Sequence, residues 1–160
     1  MKIQEQARDG HALLGRLIEP FTVAMCTRAE ARGTLVSEPM SALEMDAAGD
    51  LWFTTRKGLQ PPDDVAALNA GFVDSTADVY ISVSGHGRIV TDPARLESLW
   101  MPFARPWAAD GSGSADLTLL CLTPACADRW DAAHHAMTRL FVAEPVQPAG
   151  DEGSSAATRT

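Results

Sequence analysis

The stretch FTVAMCTRAEARGTLVSEPMSALEMDAAGDLWFTT, which runs from Phe21 to Thr55, decides the fold. From Phe21 onward, apolar residues alternate with small or polar residues at a period of two, which is typical of a half-buried strand. Glycine-containing loops interrupt the stretch twice. The predicted strands are 21–26, 34–45 and 51–55, and the predicted loops are 29–33 and 46–50. Consecutive strands with such short connections predict an antiparallel meander.

A helix is predicted immediately before the meander, over residues 9–19. Its apolar residues share one face at helical spacing: Leu13, Leu14, Leu17 and Ile18. Asp9 is a suitable N-cap, and Pro20 ends the helix because the residue before a proline avoids the helical region.

A second helix is predicted after the meander. Pro61 and Pro62 suit a helix start. Asp63 and Asp64 suit its first turn, because the helix dipole favours negative charge there. The residues that support this helix further along are Val65, Leu68 and Phe72 on one face, with Gly71 as a terminator.

The rest of the periodic sequence contains more strand than helix. The run Gly85-His86-Gly87 predicts a bulge or barrel corner, and we interpret His86 as a bulge residue rather than an acid or base. The predicted elements are a long or kinked strand over 78–91, a helix from Asp92-Pro93 through Leu96, Leu99, Trp100 and Phe103, a strand over 117–122 closed by Pro124, and a helix carrying Trp130, His134, Met137 and Phe141. The predicted fold class is therefore mainly β (α+β), a closed antiparallel β-barrel with peripheral helices.

Length and composition indicate a single globular domain. The chain has 160 residues, of which 46% are hydrophobic and 21% charged, and its formal net charge is -8. We predict one domain over 1–144 and a disordered tail over 145–160, which is rich in Pro, Gly and Ser. An acidic surface disfavours nucleic acid and anionic membranes as partners. No apolar stretch is long enough to span a bilayer, and the polar start carries no secretion signal, so a cytoplasmic location is expected.

The cysteines and histidines do not predict a metal site or a disulfide. Cys26, Cys121 and Cys126 include no C-x-x-C pair, so we expect reduced and mostly buried thiols. His134 and His135 are adjacent, and adjacent residues on a helix point in different directions, so they would not share one ion.

Five short blocks stand in order between Leu13 and Phe141. They are Ser37-Glu38-Pro39-Met40, Asp50-Leu51-Trp52-Phe53-Thr54-Thr55-Arg56, Tyr80-Ile81-Ser82-Val83-Ser84-Gly85, Leu99-Trp100-Met101-Pro102 with Trp107, and Arg129-Trp130-Asp131. Together they resemble the pyridoxamine 5'-phosphate oxidase-like split barrels, and among these the general stress protein 26 type. The resemblance implies an antiparallel split β-barrel that forms a homodimer, with FMN in a cleft at the dimer interface. It also implies a flavin-dependent oxidoreductase, because the flavin ring transfers hydride or electrons.

The resemblance assigns flavin contacts to individual positions. Thr54 and Thr55 match the strand-end positions that face the ribityl and phosphate groups. Pro39 and Met40 match the block that borders the flavin, and Trp107 matches a bulky residue that closes the cleft.

The charged contacts depart from the family pattern. Where the family usually reads Ser-Arg-Pro-Met, this chain reads Ser37-Glu38-Pro39-Met40, and Asp64 stands near the family's Ser and Lys. A phosphate needs cationic or N–H donors, so Glu38 and Asp64 predict weaker binding. Arg56 and Lys57 directly follow the two threonines, and our hypothesis is that they hold the phosphate instead.

Two functions follow from these observations. The first is an FMN-binding flavoprotein of the general stress protein type. The second is a non-catalytic dimeric module that keeps the barrel, has lost FMN, and binds another ligand or a protein partner. Related barrels hold a deazaflavin, so the type of flavin ring also stays open.

Overall fold

A computed structural model describes residues 1–30, 33–57, 66–100 and 116–143. Over those ranges the chain forms eight strands and two helices. In chain order they are β1 (Lys2–Ile3), α1 (Asp9–Ile18), β2 (Val23–Ala29), β3 (Leu35–Met45), β4 (Leu51–Arg56), β5 (Ala66–Asp74), β6 (Val79–Val90), α2 (Pro93–Trp100), β7 (Leu117–Asp131) and β8 (Ala136–Val142).

Six of the strands close into an antiparallel barrel. The order around the barrel is β2, β3, β4, β7, β6 and β5, and β5 pairs with β2 to complete the circle. Strand β1 adds in parallel to the end of β3, and β8 adds to the second half of β7. The predicted meander is confirmed as β2, β3 and β4, and the mainly β class with peripheral helices is confirmed.

Strand β3 is shared between two neighbours along its length. Its first half pairs with β2, from Leu35 opposite Ala29 to Ser41 opposite Val23. Its second half pairs with β4, beginning where Ser41 lies opposite Thr54. The first half of β3 therefore extends beyond the end of β4. The predicted site residues Ser37, Glu38, Pro39 and Met40 lie on this part of β3.

The barrel interior and its outer covering form two apolar clusters. Inside, Phe53 and Phe72 pack with Leu14 and Ile18 of α1, and all four side chains are fully buried. Outside, α2 covers part of the barrel wall. The buried residues of this second cluster are Leu43, Trp52, Leu96, Leu99, Leu119 and Cys121.

Both helices begin close to their predicted positions. Asp92 caps α2, since its Oδ1 accepts a hydrogen bond from the Arg95 N–H at 2.9 Å. Helix α1 spans Asp9–Ile18, but its N-cap is Arg8, so the prediction of Asp9 as N-cap is wrong by one residue. Phe103 lies outside the described residues.

The predicted helix after the meander is wrong, because Ala66–Asp74 is strand β5. Leu68, Ala70 and Phe72 are buried in the core, which is the period-two pattern of a strand. Leu68 and Phe72 are four residues apart, and that spacing places two side chains on one face of either a helix or a strand. Residues 61–65, with Pro61, Pro62 and the acidic pair after them, lie outside the described residues.

The predicted helix over Trp130–Phe141 is also wrong. The segment is the end of β7, a turn, and strand β8, with Trp130 opposite Met137. The turn is stabilised by Asp131, whose Oδ1 accepts the Ala133 N–H at 3.0 Å, and His135 has a positive φ of 49°. The chain therefore reverses direction within the stretch whose apolar spacing is helical.

Pro124 does not close β7, which continues to Asp131. Pro124 lies opposite Gly85 at a register shift in the β6–β7 ladder. A Cβ atom on Gly85 would lie 2.0 Å from the Thr123 carbonyl oxygen, so the close approach requires glycine. The bulge predicted at the Gly85-His86-Gly87 run is confirmed, and a bulge is one of the few places where a sheet accepts proline. The predicted tail over 145–160 lies outside the described residues.

Candidate functional site

Alternation along β3 divides the first predicted block between two faces of the barrel wall. Met40 is 5% exposed and packs in the interior cluster, so Glu38 faces the same inner side. Ser37 and Pro39 face outward and are exposed. The Ser37 hydroxyl hydrogen-bonds to Thr27 Oγ1 at 2.7 Å, across the β2–β3 pair. A ligand on the outer face would therefore contact Ser37 and Pro39, with Glu38 and Met40 behind them.

The second block on β4 divides in the same way. Phe53 packs in the interior cluster, so Thr55 faces inward and Thr54 faces outward. Both threonines are buried, at 7% exposure for Thr54 and 5% for Thr55. Ser41 lies directly opposite Thr54, so the pairing of β3 with β4 brings the two predicted blocks together on the outer face.

The two predicted cations stand at the end of β4. Arg56 is exposed and pairs with Leu117 at the start of β7. The Lys57 N–H donates to the Asp116 carbonyl oxygen at 2.9 Å, which fixes the backbone just beyond the strand. By alternation Arg56 shares the outer face with Thr54. Trp107 lies outside the described residues.

Glu38 has a cationic neighbour that sequence reasoning missed. Arg28 Nη2 lies 4.0 Å from Glu38 Oε1, and Arg28 Nη1 lies 2.9 Å from Glu30 Oε1. The Arg28 side chain is only 10% exposed, and Cys26 rather than Arg28 lies directly opposite Glu38 in the ladder. The carboxylate at the family's arginine position is thus accompanied by an arginine from the adjacent strand. No local sequence signal links residues 28 and 38, because their proximity depends on the β2–β3 register.

One part of the outer face carries no charged side chain in the described residues. It is formed by the first half of β3, β2, β5 and the first half of β6. Interior packing of the alternate residues identifies which side chains point outward. The outward residues are Leu35, Ser37, Pro39 and Ser41 on β3, Val23, Met25, Thr27 and Ala29 on β2, Ala67, Asn69, Gly71 and Val73 on β5, and Tyr80, Ser82 and Ser84 on β6. We call this set the uncovered face.

Small polar groups on the uncovered face bond to one another. Asn69 Nδ2 donates to the Ser82 hydroxyl at 2.7 Å and to the Ser84 hydroxyl at 2.9 Å. Large apolar side chains are exposed beside them, with Val73 at 62% and Met25 at 47%. An exposed apolar patch that is free of charge marks an interaction surface.

The thiols and histidines form no metal-binding group in the described part of the chain. The cysteines there are free, and Cys26 and Cys121 are buried as predicted. Burial raises the pKa of each of these two thiols to about 12, so both stay protonated. No cluster of His, Cys, Asp and Glu in these residues has a metal-binding arrangement. None of the described helices has the length and apolar character that a bilayer span requires.

The barrel agrees with a match to a known family. The family model described as pyridoxamine 5'-phosphate oxidase like matches residues 9–146. The chain belongs to this family.

Known proteins of pyridoxamine 5'-phosphate oxidase-like fold are similar to this chain. A Clostridium acetobutylicum protein related to general stress protein 26 superposes with a TM-score of 0.65 at 18% identity, over 84% of this chain and 100% of that one. The general stress FMN/FAD binding protein of Xanthomonas citri gives a TM-score of 0.59 at 24% identity, over 90% and 96% of the two chains. At these identities the two structures show the shared split-barrel fold.

Among curated proteins, Protein bli-3 of Neurospora crassa is 33% identical over 97 residues. The aligned part is 58% of this chain and 46% of the Neurospora protein, so this chain matches about half the length of that relative.

Proposed function

We propose that the protein forms a homodimer, binds FMN in a cleft at the dimer interface, and acts as a flavin-dependent oxidoreductase. The observation that carries this proposal is the uncovered face, which adjoins the outward residues of the two predicted blocks at Ser41 and Thr54. When bound, FMN would supply hydride or electron transfer. The residues of this chain would bind the cofactor and orient it.

The uncovered face has the charge-free composition of the centre of an interface, although it is smaller than a whole side of a stable one. It comprises fifteen residues on four neighbouring strands, in a chain of which 21% of the residues are charged. Stable interfaces use about 20–30 residues on each side, and their centres are depleted in charge. A second copy of the chain is the partner that the family resemblance implies, and it would cover Val73 and Met25.

The outward side chains near the end of β4 suit a phosphorylated flavin. Ser37 and Pro39 offer small contacts to a flat ring, and Thr54 offers a hydroxyl close to the strand end. Arg56 shares that side of the wall and can supply the positive charge that a phosphate needs. Lys57 is exposed just beyond it. We therefore retain the hypothesis that Arg56 and Lys57 hold the phosphate, with Trp107 proposed to close the cleft.

The orientation of Glu38 supports retention of the cofactor. Its carboxylate faces the inner side of the wall, beside Arg28, while the proposed flavin contacts are on the outer side. An inward carboxylate with a cationic neighbour repels an external phosphate less than an outward one would. Glu38 would therefore not replace the family's arginine as a phosphate contact, and the cation would come from another strand end.

Titration of the purified protein with FMN tests the proposal, with bound flavin followed by fluorescence quenching and visible absorbance. The double variant Arg56→Ala, Lys57→Ala should weaken FMN binding by about tenfold or more, because each charge-assisted contact contributes about 1.5–3 kcal/mol. Riboflavin, which lacks the phosphate, should bind the variant and the original chain equally. Arg16→Ala, at an exposed position on α1, is the matched control and should leave both affinities unchanged.

A second variant tests the orientation of Glu38. Glu38→Arg should leave FMN affinity within about twofold if Glu38 faces away from the phosphate, since a charge on the far side of the wall is screened.

A protein that is dimeric but binds neither FMN nor riboflavin would contradict the oxidoreductase proposal. That result would favour the non-catalytic dimeric module.

A further inference from the structure

A separate cavity lies between the start of α1 and the end of β8. Its volume is about 360 Å³, and it is lined by Arg8, Gly10, His11, Phe141, Val142 and Ala143. Gly10 lets the helix approach the strand closely, because a Cβ atom there would lie 2.9 Å from Phe141 Cβ. This volume is at the lower end of the range for small-molecule sites.

The cavity is remote from the proposed flavin site. The His11 ring lies against Gly49, in the loop that precedes β4. Thr54 is five residues further along the extended chain, which is about 16 Å at the ~3.3 Å rise of a strand residue. The two sites are therefore at opposite ends of β4, and neither depends on residues of the other.

The first backbone donors of α1 lack an acceptor inside the helix, and the residues of this first turn that line the cavity are Arg8, Gly10 and His11. The first hydrogen bond of α1 runs from the Ala12 N–H to the Arg8 carbonyl oxygen at 2.9 Å, so the N–H groups before Ala12 have no intrahelical partner. Arg8 is the N-cap residue, and its side chain makes no capping hydrogen bond. The helix dipole adds partial positive charge at the same place.

The buried side chain of His11 is what distinguishes this site from a bare helix end. Its side chain is buried at 7% exposure and lines the cavity, and its ring nitrogens have no hydrogen-bond partner among the described residues. Its ring stacks on Phe141 with 4.2 Å between centroids. A buried polar group normally has a partner, so the unpartnered imidazole of a residue that lines the cavity is suited to bind a ligand.

We propose that this cavity binds a small organic anion, with a carboxylate or phosphate group at the start of α1 and an apolar body against Phe141 and Val142. The anion would accept hydrogen bonds from the first-turn N–H groups, from Arg8 and from His11. Asp9 is exposed and is not part of the cavity lining.

Benzoate is the test probe, and benzamide is its uncharged counterpart of the same shape. Titration of the full chain, followed by NMR, should show saturable shifts of the Gly10 amide and of the His11 and Phe141 rings with benzoate. Benzamide should bind at least about tenfold more weakly, because it lacks the charge. Burial, and to a smaller extent the nearby Arg8, lower the pKa of His11. This pKa should rise when benzoate is bound.

Substitution of Arg8 provides the matched variants. Arg8 is exposed, so Arg8→Met should leave the fold intact and weaken benzoate by about tenfold, while Arg8→Lys should recover much of the affinity. Arg16→Met, on the same helix, should have no effect. Equal binding of benzoate and benzamide, or unchanged benzoate affinity in Arg8→Met, would overturn the proposal. FMN affinity should be the same in all these variants.

Discussion

The two sides of the barrel wall differ sharply in how charge is distributed. On the side covered by α2, Arg95 Cζ stands 3.9 Å from the Trp52 ring centroid, and the Trp52 indole N–H donates to Asp46 at 2.8 Å. Glu44 is buried beside them and forms ion pairs with Lys2 at 3.1 Å and Arg95 at 3.4 Å. The uncovered face carries no charge in the described residues and exposes Val73.

This difference reverses the usual arrangement of a surface. Charged side chains are normally most frequent where a wall faces water, and they are seldom buried unless paired. Here the chain pairs charges beside its own helix and leaves a neutral wall of apolar and small polar side chains outside. The comparison supports our proposal that a second copy of the chain covers the uncovered face.

Replacement of Trp52, on the side covered by α2, should have the largest effect on stability. Trp52→Ala should lower the free energy of unfolding by about 3–5 kcal/mol, because it leaves a cavity under α2 and removes the ring on which Arg95 stacks. Urea denaturation measures the change. Met137→Ala, at an exposed position on β8 outside the uncovered face, is the control and should cost less than about 0.5 kcal/mol. A similar cost for both variants would contradict the role of Trp52 in the packing under α2.

A charge on the uncovered face should dissociate the proposed dimer. Val73→Asp should weaken dimerisation by about a hundredfold or more, since a buried carboxylate near its symmetry mate costs several kcal/mol. Light scattering after size exclusion should then show a monomer. Ala94→Asp, in the exposed first turn of α2, should remain dimeric. If the original chain is a monomer at all concentrations, the homodimer and its interface cleft are both excluded.

The buried Glu44 carboxylate, on the side covered by α2, should contribute less than Trp52 to the free energy of unfolding. Glu44→Gln should lower the unfolding free energy by about 1 kcal/mol, a modest cost because Lys2 and Arg95 are partly exposed and solvent screens the pairs. The matched control is Glu97→Gln, an exposed position on α2, which should have no measurable effect. High salt should reduce the difference between the two variants.

The pH dependence of stability should show the smallest effect. Burial, and then the nearby Arg8, lower the pKa of His11 in the folded protein below its usual 6.5. The unfolded chain therefore takes up a proton first as the pH falls, so stability present above pH 6.5 should decrease as the pH drops below that value. His11→Gln should flatten this part of the unfolding profile, whereas the same change at exposed His86 should not.

The sequence by itself determined the elements whose signals are local. The meander over β2–β4, helix α1 and the Asp92 cap of α2 follow from periodicity, loop composition and capping, which depend only on neighbouring residues. The two blocks around Ser37 and Thr54 were also recognisable from sequence, although their grouping on one face depends on the β3–β4 register.

Only the tertiary structure decided β5, β8 and the charge environment of Glu38. Leu68 and Phe72 are four residues apart, and this spacing suits a helix and a strand equally until β2 and β6 provide partners on both sides. Arg28 reaches Glu38 because two strands pair in one register. Strand pairing between distant segments is a property of the closed barrel, and no local stretch of the chain encodes which residues it brings together.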